Sequence, residues 1–273
     1  MIVVTGATGN VGRALVRHLL GAGERVTAVS RHRPEVPLPP DVRHVAADLA
    51  DPAAVRAALD GAEALFLLVA GEDPEGLVRQ ARAAGVRRVV LLSSQGVGTR
   101  PDSYAHAARF EAAVTDGAPE WTVLRSGGLA SNAFAWAEPV RAHRTAAAPF
   151  ADVGLPFVDP EDVAAVAAAV LRGDGHHGAA YVLTGPEPST PRGRAAAIAE
   201  AIGAPVAFHE QTVDEARAEL ARFMPPPVVE GTLAVLGTPT DEERRVSPDV
   251  ERVLGRAPQP FAAWAVRNAA AFD

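Results

Sequence analysis

MIVVTGATGNVG, residues 1–12, is the stretch of sequence that decides the predicted fold. The short apolar run Ile2–Val4 leads into Gly6, Gly9 and Gly12, and a segment with helical spacing of apolar residues follows directly. Glycines at this spacing between a strand and a helix permit a tight turn, close approach of the backbone to a pyrophosphate, and close packing of helix on strand. The pattern predicts a nucleotide at the amino end of the first helix, where free N–H groups and the helix dipole attract phosphate.

Composition limits the classes of protein that the chain can belong to. Its 273 residues are 48% hydrophobic and 22% charged, which predicts a folded globular protein with one large α/β domain or a core with an added lobe. The net charge of −7 and the lack of a long basic cluster argue against nucleic acid or an anionic membrane as a partner. Without cysteine, disulfides, thiolate catalysis and Cys-ligated zinc are excluded, and no metal site is predicted. A first strand at the N-terminus and the lack of a long apolar run favour a cytoplasmic protein.

Strand-like and helix-like segments alternate along the chain, which is typical of a parallel sheet covered on both faces. The predicted strands are Ile2–Thr5, Arg25–Ser30, Val42–Ala46, Ala64–Val69, Arg88–Leu92, Thr122–Leu124 and Ala179–Thr184. Asp51–Pro52 and Asp159–Pro160 predict helix starts, because each pairs an N-cap residue with a proline at the first helical position. A further helix is predicted over Pro191–Ile202.

This pattern predicts an α/β protein with a doubly wound parallel sheet of the Rossmann type. We expect an NAD(P)-binding core over residues 1–185 and a smaller C-terminal lobe over residues 186–273, covering the substrate side of the cleft. Within that lobe, we expect a charged linker around Asp241–Arg245 and a last amphipathic helix over Phe261–Phe272.

The residues after the second strand bear on the choice of dinucleotide. NAD-binding units of this type place an acidic residue there for the ribose 2′-OH, whereas this strand ends at Ser30 and is followed by Arg31. An arginine at this point favours NADP(H), because its planar donors pair with the 2′-phosphate; the alternative is a solvated loop charge. Asp48, after the third strand, either accepts from the adenine amino group or caps the turn before the helix that follows Asp51.

Several motifs together resemble one family. TGATGNVG at 5–12, SSQGV at 93–97, WTVLRSGG at 121–128 and VDPEDVAAVAAAVL at 158–171 resemble the NmrA-like atypical short-chain dehydrogenase/reductases, and the similarity extends over essentially the whole chain. That family includes NAD(P)H:quinone reductases and also members that bind NADP without evident catalysis.

The resemblance implies a set of cofactor contacts on the matching residues. It implies that the pyrophosphate is cradled by Gly6, Ala7, Thr8, Gly9, Asn10 and Val11. It further implies a 2′-phosphate contact from Arg31, a wall beneath the adenosine half or the nicotinamide ribose from Val69 and Ala70, and nicotinamide contacts from Ser93 and the loop from Gly127 to Asn132.

The usual catalytic pair of short-chain reductases is missing. These enzymes use Tyr-x-x-x-Lys on one helix face, where the lysine lowers the tyrosine pKa. Tyr104 is followed four positions later by Ala108, and no lysine lies nearby. Tyr104 remains the candidate proton donor, with packing at a helix start as the alternative reading. Ser93 and Ser94 either orient a substrate or close a strand end.

Aromatic residues and a histidine pair leave further alternatives open. Phe134, Trp136, Phe150 and Phe157 fall near the expected cleft, where they either line a flat apolar pocket or belong to the core. His176–His177 lies in a glycine-rich turn and is not expected to bind a metal.

Two functions follow from these residues. The first is an NADPH-dependent reductase that transfers hydride to a quinone or a similar planar, apolar carbonyl compound, because quinone reduction gives a stabilised phenolate and has little need of a proton donor. The second is a non-catalytic, redox-sensing NADP(H)-binding regulator, which the missing Tyr–Lys pair suggests. The sequence leaves the oligomeric state open.

Overall fold

The computed structural model describes residues 1–34 and 37–273, which form a central parallel sheet and a second lobe. The sheet has seven strands in the order β3-β2-β1-β4-β5-β6-β8. A separate two-stranded sheet pairs β7 with β9, also in parallel. The strands are β1 Ile2–Thr5, β2 Val26–Ser30, β3 Arg43–Ala46, β4 Ala64–Leu68, β5 Arg88–Ser94, β6 Glu120–Ser126, β7 Thr145–Ala148, β8 Ala179–Leu183 and β9 Ala207–Glu210.

Thirteen α-helices lie in the described part of the chain. They are α1 Asn10–Gly21, α2 Pro52–Leu59, α3 Pro74–Ala83, α4 Gly96–Thr99, α5 Ala105–Gly117, α6 Ala137–His143, α7 Pro160–Arg172, α8 Pro191–Ile202, α9 Val213–Leu220, α10 Pro226–Gly237, α11 Asp241–Arg244, α12 Asp249–Leu254 and α13 Phe261–Arg267. Short 3₁₀ helices cover Ala130–Trp136 and Ala269–Ala271. Of the helices in residues 1–34 and 37–273, none has the length and apolar character needed to cross a bilayer.

The doubly wound parallel sheet is confirmed, and its strand order places the cleft. β1 pairs with β2 on one side and with β4 on the other, so the chain reverses direction of winding between β1 and β4. Ligands of such sheets bind beyond the carboxyl ends of the strands at this reversal. All four residues of β1 are buried, as expected for a central strand covered on both faces.

Short-range signals set where several helices begin. The Asp51 carboxylate accepts from the N–H of Ala53 (2.9 Å), and the Asp159 carboxylate accepts from the N–H of Glu161 (2.9 Å). In both helices a proline follows at the first helical position, where its missing N–H removes no bond. Both predicted starts are confirmed, as is the start of α8 at Pro191.

Two apolar layers sandwich the sheet. Helices α1 and α7 pack together on one face, with Leu15, Phe66 and Val163 buried among them. Helices α2, α3 and α5 cover the other face, around Leu65 and Phe110. Because both faces are covered, only the strand ends are open to a ligand.

The second lobe has its own apolar core and is not drawn from the C-terminal third alone. Trp136, Ile198, Trp264 and Phe272 are buried together, and they come from the 3₁₀ segment after β6, α8, α13 and the extreme C-terminus. Pairing of β7 with β9 ties residues near 146 to residues near 208. A division of the chain into two domains at residue 185 stays a prediction.

Two expectations for the C-terminal segment need correction. The charged stretch Asp241–Arg245 is not a plain linker, because a turn of helix, α11, forms there with Thr240 and Glu243 in a reciprocal capping box. The last α-helix ends at Arg267, because the backbone of Asn268 (φ −112°, ψ 14°) departs from helical values and a 3₁₀ turn follows.

Candidate functional site

The glycine loop between β1 and α1 has the geometry that a pyrophosphate needs. Gly6 has φ +60°, a left-handed conformation that glycine adopts without strain. A Cβ added at Gly12 would lie 2.1 Å from the carbonyl oxygen of Gly6, so only glycine lets α1 approach the loop this closely. Gly9 is the N-cap of α1 and contributes no side chain. These features fit a backbone cradle for phosphate.

The amino end of α1 also has the charge that a phosphate requires. Among the described residues, no side chain caps this helix end and no acid lies in its first turn. The Arg13 guanidinium donates to the carbonyl oxygen of Thr8 (2.8 Å) and so stabilises the loop. Residues Ala7 to Val11 thus lead into a helix terminus whose partial positive charge is not met by an acid of its own first turn.

The end of β2 carries the predicted 2′-phosphate contact. The Ser30 hydroxyl lies 2.8 Å from the carbonyl oxygen of His32 and 2.8 Å from Nε2 of His44, which fixes the backbone at the strand end. Arg31 follows with an exposed side chain. The exposed Asp48 accepts from the N–H of Ala50 (3.0 Å), so the turn-capping role is present in the structure. Its contact with adenine stays a prediction.

A cavity of about 370 Å³, which we call the cofactor-side cavity, lies at the carboxyl ends of β4 and β5. It is lined by Leu68, Val69, Leu92, Ser93, Ser94, Ser103, Tyr104, His106, Ala107 and Val228. The predicted residues Val69 and Ser93 therefore lie together. Val69 and Ala70 are both half-buried against the apolar layer of α2, α3 and α5, but only Val69 lines this cavity. His106 packs edge-on against Phe110, at 5.2 Å between ring centres.

The Ser93 hydroxyl is held by a partly buried ion pair, Glu111 with Arg125, that the sequence reading did not find. It donates to the Glu111 carboxylate on α5 (2.6 Å). Glu111 also accepts from Arg125 on β6 (2.6 Å), and this hydrogen bond raises the pKa of Arg125. Ser93 is therefore oriented by its neighbours, and its proton is already donated inside the protein.

A second cavity, the central cavity, continues from the first and has a volume of about 190 Å³. Its wall includes Ser94 and Tyr104, which it shares with the cofactor-side cavity. Gly127 and Asn132, both implied by the family resemblance, also line it. The loop after β6 is therefore next to the carboxyl ends of β4 and β5, as the prediction requires.

Tyr104 lies where these two cavities meet. A Cβ added at Gly96 would lie 2.3 Å from Cε2 of Tyr104, so the ring lies directly against that backbone. Burial raises the pKa of Tyr104, while the neighbouring hydroxyls of Thr232 and Ser94 oppose the shift. The phenol is therefore protonated at neutral pH, so it is suited to donate a proton and not to accept one.

A third cavity, which we call the lobe cavity, adjoins the central cavity and extends into the second lobe. Its volume is about 380 Å³. It shares Asn132, Phe157, Met224, Thr232 and Leu236 with the central cavity. Of the four aromatic residues left open by the sequence, Trp136 and Phe157 line it. Phe134 and Phe150 instead pack against other apolar side chains.

Among the described residues that line the lobe cavity, Arg194 on α8 is the charged residue with a buried side chain. It is 7% exposed, and its Cζ lies 3.7 Å from the ring centre of Phe157 and 5.7 Å from that of Trp136. Burial lowers the pKa of Arg194 to about 10, which leaves it charged at neutral pH. The sequence reading missed this residue, because only the tertiary fold brings α8 to the cavity.

A buried ion pair anchors the helices of the second lobe over the strand ends. Arg100, just after α4, donates to both oxygens of the Glu243 carboxylate (2.7 and 2.9 Å) and to the carbonyl oxygen of Thr238 (2.9 Å). Burial of Glu243 favours its neutral form, but hydrogen bonds from Arg100 and the N–H of Thr240 outweigh this and leave the pKa of Glu243 lowered. The pair links α10 and α11 to the loop after β5.

His176 and His177 have structural contacts. Nδ1 of His176 lies 2.9 Å from the Tyr181 hydroxyl, and His177 accepts from the N–H of Trp121 (3.3 Å). Both histidines precede β8, at the sheet edge opposite the cleft. Within residues 1–34 and 37–273, no group of three or more metal-ligating side chains is present.

Comparison with known proteins adds a family and three relatives. Residues 6–174 match the sequence model of a family described as NAD(P)H-binding. The chain is 38% identical to the (4-alkanoyl-5-oxo-2,5-dihydrofuran-3-yl)methyl phosphate reductase of Streptomyces griseus, over 100% of this chain and 99% of that protein. It is 29% identical to the NAD(P)H azoreductase of Xenophilus azovorans, over 100% and 99%. It is 28% identical to quinone oxidoreductase 2 of Escherichia coli, over 68% of each chain.

Solved structures share the fold. The NADPH-dependent quinone oxidoreductase QOR2 from Escherichia coli, solved with NADPH, superposes with a TM-score of 0.77 at 23% identity over 98% of this chain and 99% of that one. A mutant of NmrA superposes with a TM-score of 0.73 at 19% identity, over 97% and 94%.

Proposed function

We propose that this protein, an NAD(P)H-dependent oxidoreductase, reduces quinones or similar planar, conjugated carbonyl compounds with NADPH. The chain belongs to the NAD(P)H-binding family and is an NmrA-like atypical short-chain dehydrogenase/reductase. The family expected from the motifs is confirmed, and the non-catalytic regulator is not favoured, because full-length relatives are named as reductases.

The cofactor half of this proposal is supported by the amino end of α1 and the loops beside it. The glycine loop and the uncapped helix end would hold the pyrophosphate, with Val69, Ser93 and the loop from Gly127 to Asn132 next to the nicotinamide half. Preference for NADPH over NADH depends on Arg31, whose exposed guanidinium would pair with the 2′-phosphate. When bound, the cofactor supplies a hydride.

The acceptor half depends mainly on one observation, the run of connected cavities from the strand ends into the second lobe. The lobe cavity is lined mostly by apolar side chains, and Phe157, Met224 and Leu236 continue this apolar wall into the central cavity, whose other side is polar. Apolar walls with few polar groups suit a flat conjugated molecule. The relatives' names denote azo, quinone and oxo-dihydrofuran acceptors, which supports this class.

We propose that Tyr104 completes the reduction. Its phenol is protonated at neutral pH and lies at the junction of the cofactor-side and central cavities. It would donate its proton to the oxygen of the reduced acceptor. A reduced quinone is a stabilised phenolate, so this proton transfer contributes little to the rate with quinones, which fits the missing lysine.

Reduction is tested by following loss of nicotinamide absorbance after mixing NADPH-loaded protein with a panel of benzoquinones and naphthoquinones. We expect single-turnover oxidation with several of them and slower oxidation with NADH. Tyr104→Phe should lower kcat for naphthoquinone by less than roughly tenfold, below the usual contribution of a general acid. Measurable NADPH binding without oxidation by any acceptor, or a loss of a hundredfold or more in the variant, would contradict the proposed chemistry.

A further inference from the structure

Arg194 has a buried positive charge and no anionic partner among residues 1–34 and 37–273. Its Nε is fully buried and makes no hydrogen bond, and no carboxylate in the described part of the chain pairs with its guanidinium. The nearest arginine on the same helix, Arg192, behaves differently, because it is exposed and pairs with Asp152 (3.0 Å). A buried arginine without a counter-ion is costly to keep, so its position calls for an explanation.

The helix itself does not stabilise this charge. Arg194 is the fourth residue of α8, whose amino end carries the positive pole of the helix dipole. A cation at that end is disfavoured, and no acid lies in the first turn of this fully described helix. Stacking on Phe157 and Trp136 offsets part of the burial cost but leaves the buried Nε–H without an acceptor.

Arg194 is part of the wall of the lobe cavity. Arg194 lines that cavity together with Asn132 and Phe157, both of which continue into the central cavity beside Tyr104. The acid that also lines the lobe cavity, Glu219, is exposed and accepts from Gln211 (3.0 Å), not from Arg194. A molecule that reaches from the strand ends into the lobe would therefore meet a fixed cation at its far end.

We propose that Arg194 binds an anionic substituent, a phosphate or a carboxylate, on the acceptor whose conjugated ring is reduced beside Tyr104. The proposal rests on the proposed reductase function and narrows its substrate class to anionic conjugated compounds. The face of the guanidinium is covered by Phe157, so its in-plane N–H groups are left to donate to two oxygens of the anion.

The test compares acceptors that differ in charge. Three naphthoquinones are used with saturating NADPH: the neutral parent, a derivative with a propanoate arm, and a derivative with an ethyl phosphate arm. Variants are Arg194→Met, which keeps length and removes charge, Arg194→Lys, which keeps charge, and Arg192→Met as a control on the same helix. Binding of phenyl phosphate and benzoate to NADPH-loaded protein is measured by calorimetry, independently of turnover.

We expect Arg194→Met to raise KM for one of the anionic quinones by roughly 10- to 100-fold, the effect of losing a charge-assisted hydrogen-bonded pair. KM for the neutral quinone and the affinity for NADPH should change less than about twofold, since neither compound needs the arginine. Arg194→Lys should restore part of the loss, and Arg192→Met should behave as the unchanged protein. The arm with the larger response identifies the anion.

Two results overturn the inference: equal changes in KM for neutral and anionic quinones, or no preference of the unchanged protein for either anionic arm. Failure of the reductase proposal gives a different result. In that case no quinone is reduced, but binding of phenyl phosphate or benzoate still depends on Arg194. The binding result then supports an anion site at Arg194 without supporting the reductase proposal. Unaltered thermal unfolding of Arg194→Met excludes loss of fold as the cause of any effect.

Discussion

Replacing Gly12 with alanine should separate the fold from cofactor binding. The added Cβ would lie 2.1 Å from the Gly6 carbonyl oxygen and 2.8 Å from Cα of Ala7, whereas ordinary contact begins near 3.4 Å. The helix or the loop must therefore move by about 1 Å. Overpacking of this kind costs roughly 1–3 kcal/mol, and the better helix propensity of alanine returns about 1 kcal/mol, so the net loss of stability is about 0–2 kcal/mol.

The effect on NADPH binding should be larger than the effect on stability. A shift of this size lengthens N–H···O bonds between the start of α1 and the pyrophosphate, and losing one bond to a charged group costs roughly 1.5–3 kcal/mol, or about 10- to 150-fold in affinity. Fluorescence titration with NADPH and urea unfolding measure the two effects. Gly21→Ala is the matched control, because a Cβ at this other α1 glycine meets nothing within 4 Å. If Gly12→Ala binds NADPH as tightly as Gly21→Ala, the close-approach argument is refuted.

Two further predictions concern charged residues. Arg31→Ala should weaken NADPH binding by roughly 1.5–3 kcal/mol and leave NADH binding nearly unaffected, because only NADPH carries the 2′-phosphate. Calorimetry with both cofactors measures the two affinities. Equal losses for NADPH and NADH would assign Arg31 another role. Glu243→Gln should lower the free energy of unfolding by about 2 kcal/mol at neutral pH. Because the folded-state pKa of Glu243 is lowered, this contribution is present above its ordinary value of 4.5 and lost as pH falls through the lowered value. Urea unfolding of both proteins at pH 7 and pH 3 should therefore show the difference shrinking in acid, and a constant difference would disprove the assignment to charge.

Local signals predicted the cofactor half of the molecule well. The strand–glycine loop–helix order, the parallel sheet and the Asp–Pro helix starts depend on residues close together in sequence, and the structure has them within one or two residues of the predicted bounds. The adjacency of Val69, Ser93 and Gly127 was also predictable, since parallel strands bring their carboxyl ends to one edge.

Local signals failed where the partner is distant in the chain. The turn of helix at Asp241–Arg244 did carry a local signal, the capping box of Thr240 and Glu243, but the contact of Glu243 with Arg100 comes only from the fold. The roles of Phe134 and Trp136 stayed open because they differ only in which face of the 3₁₀ segment meets the cavity.

The chain's sequence was therefore enough to determine a dinucleotide-binding sheet and the place of its phosphate loop, because short-range backbone chemistry sets both. Only the tertiary structure decided which side chains meet the acceptor. Glu111 holds Ser93, and Arg194 stacks on Phe157 inside the second lobe, and both arrangements arise from packing of separate elements. Helical or strand periodicity indicates that a residue is buried, but which residue it contacts depends on the fold as a whole.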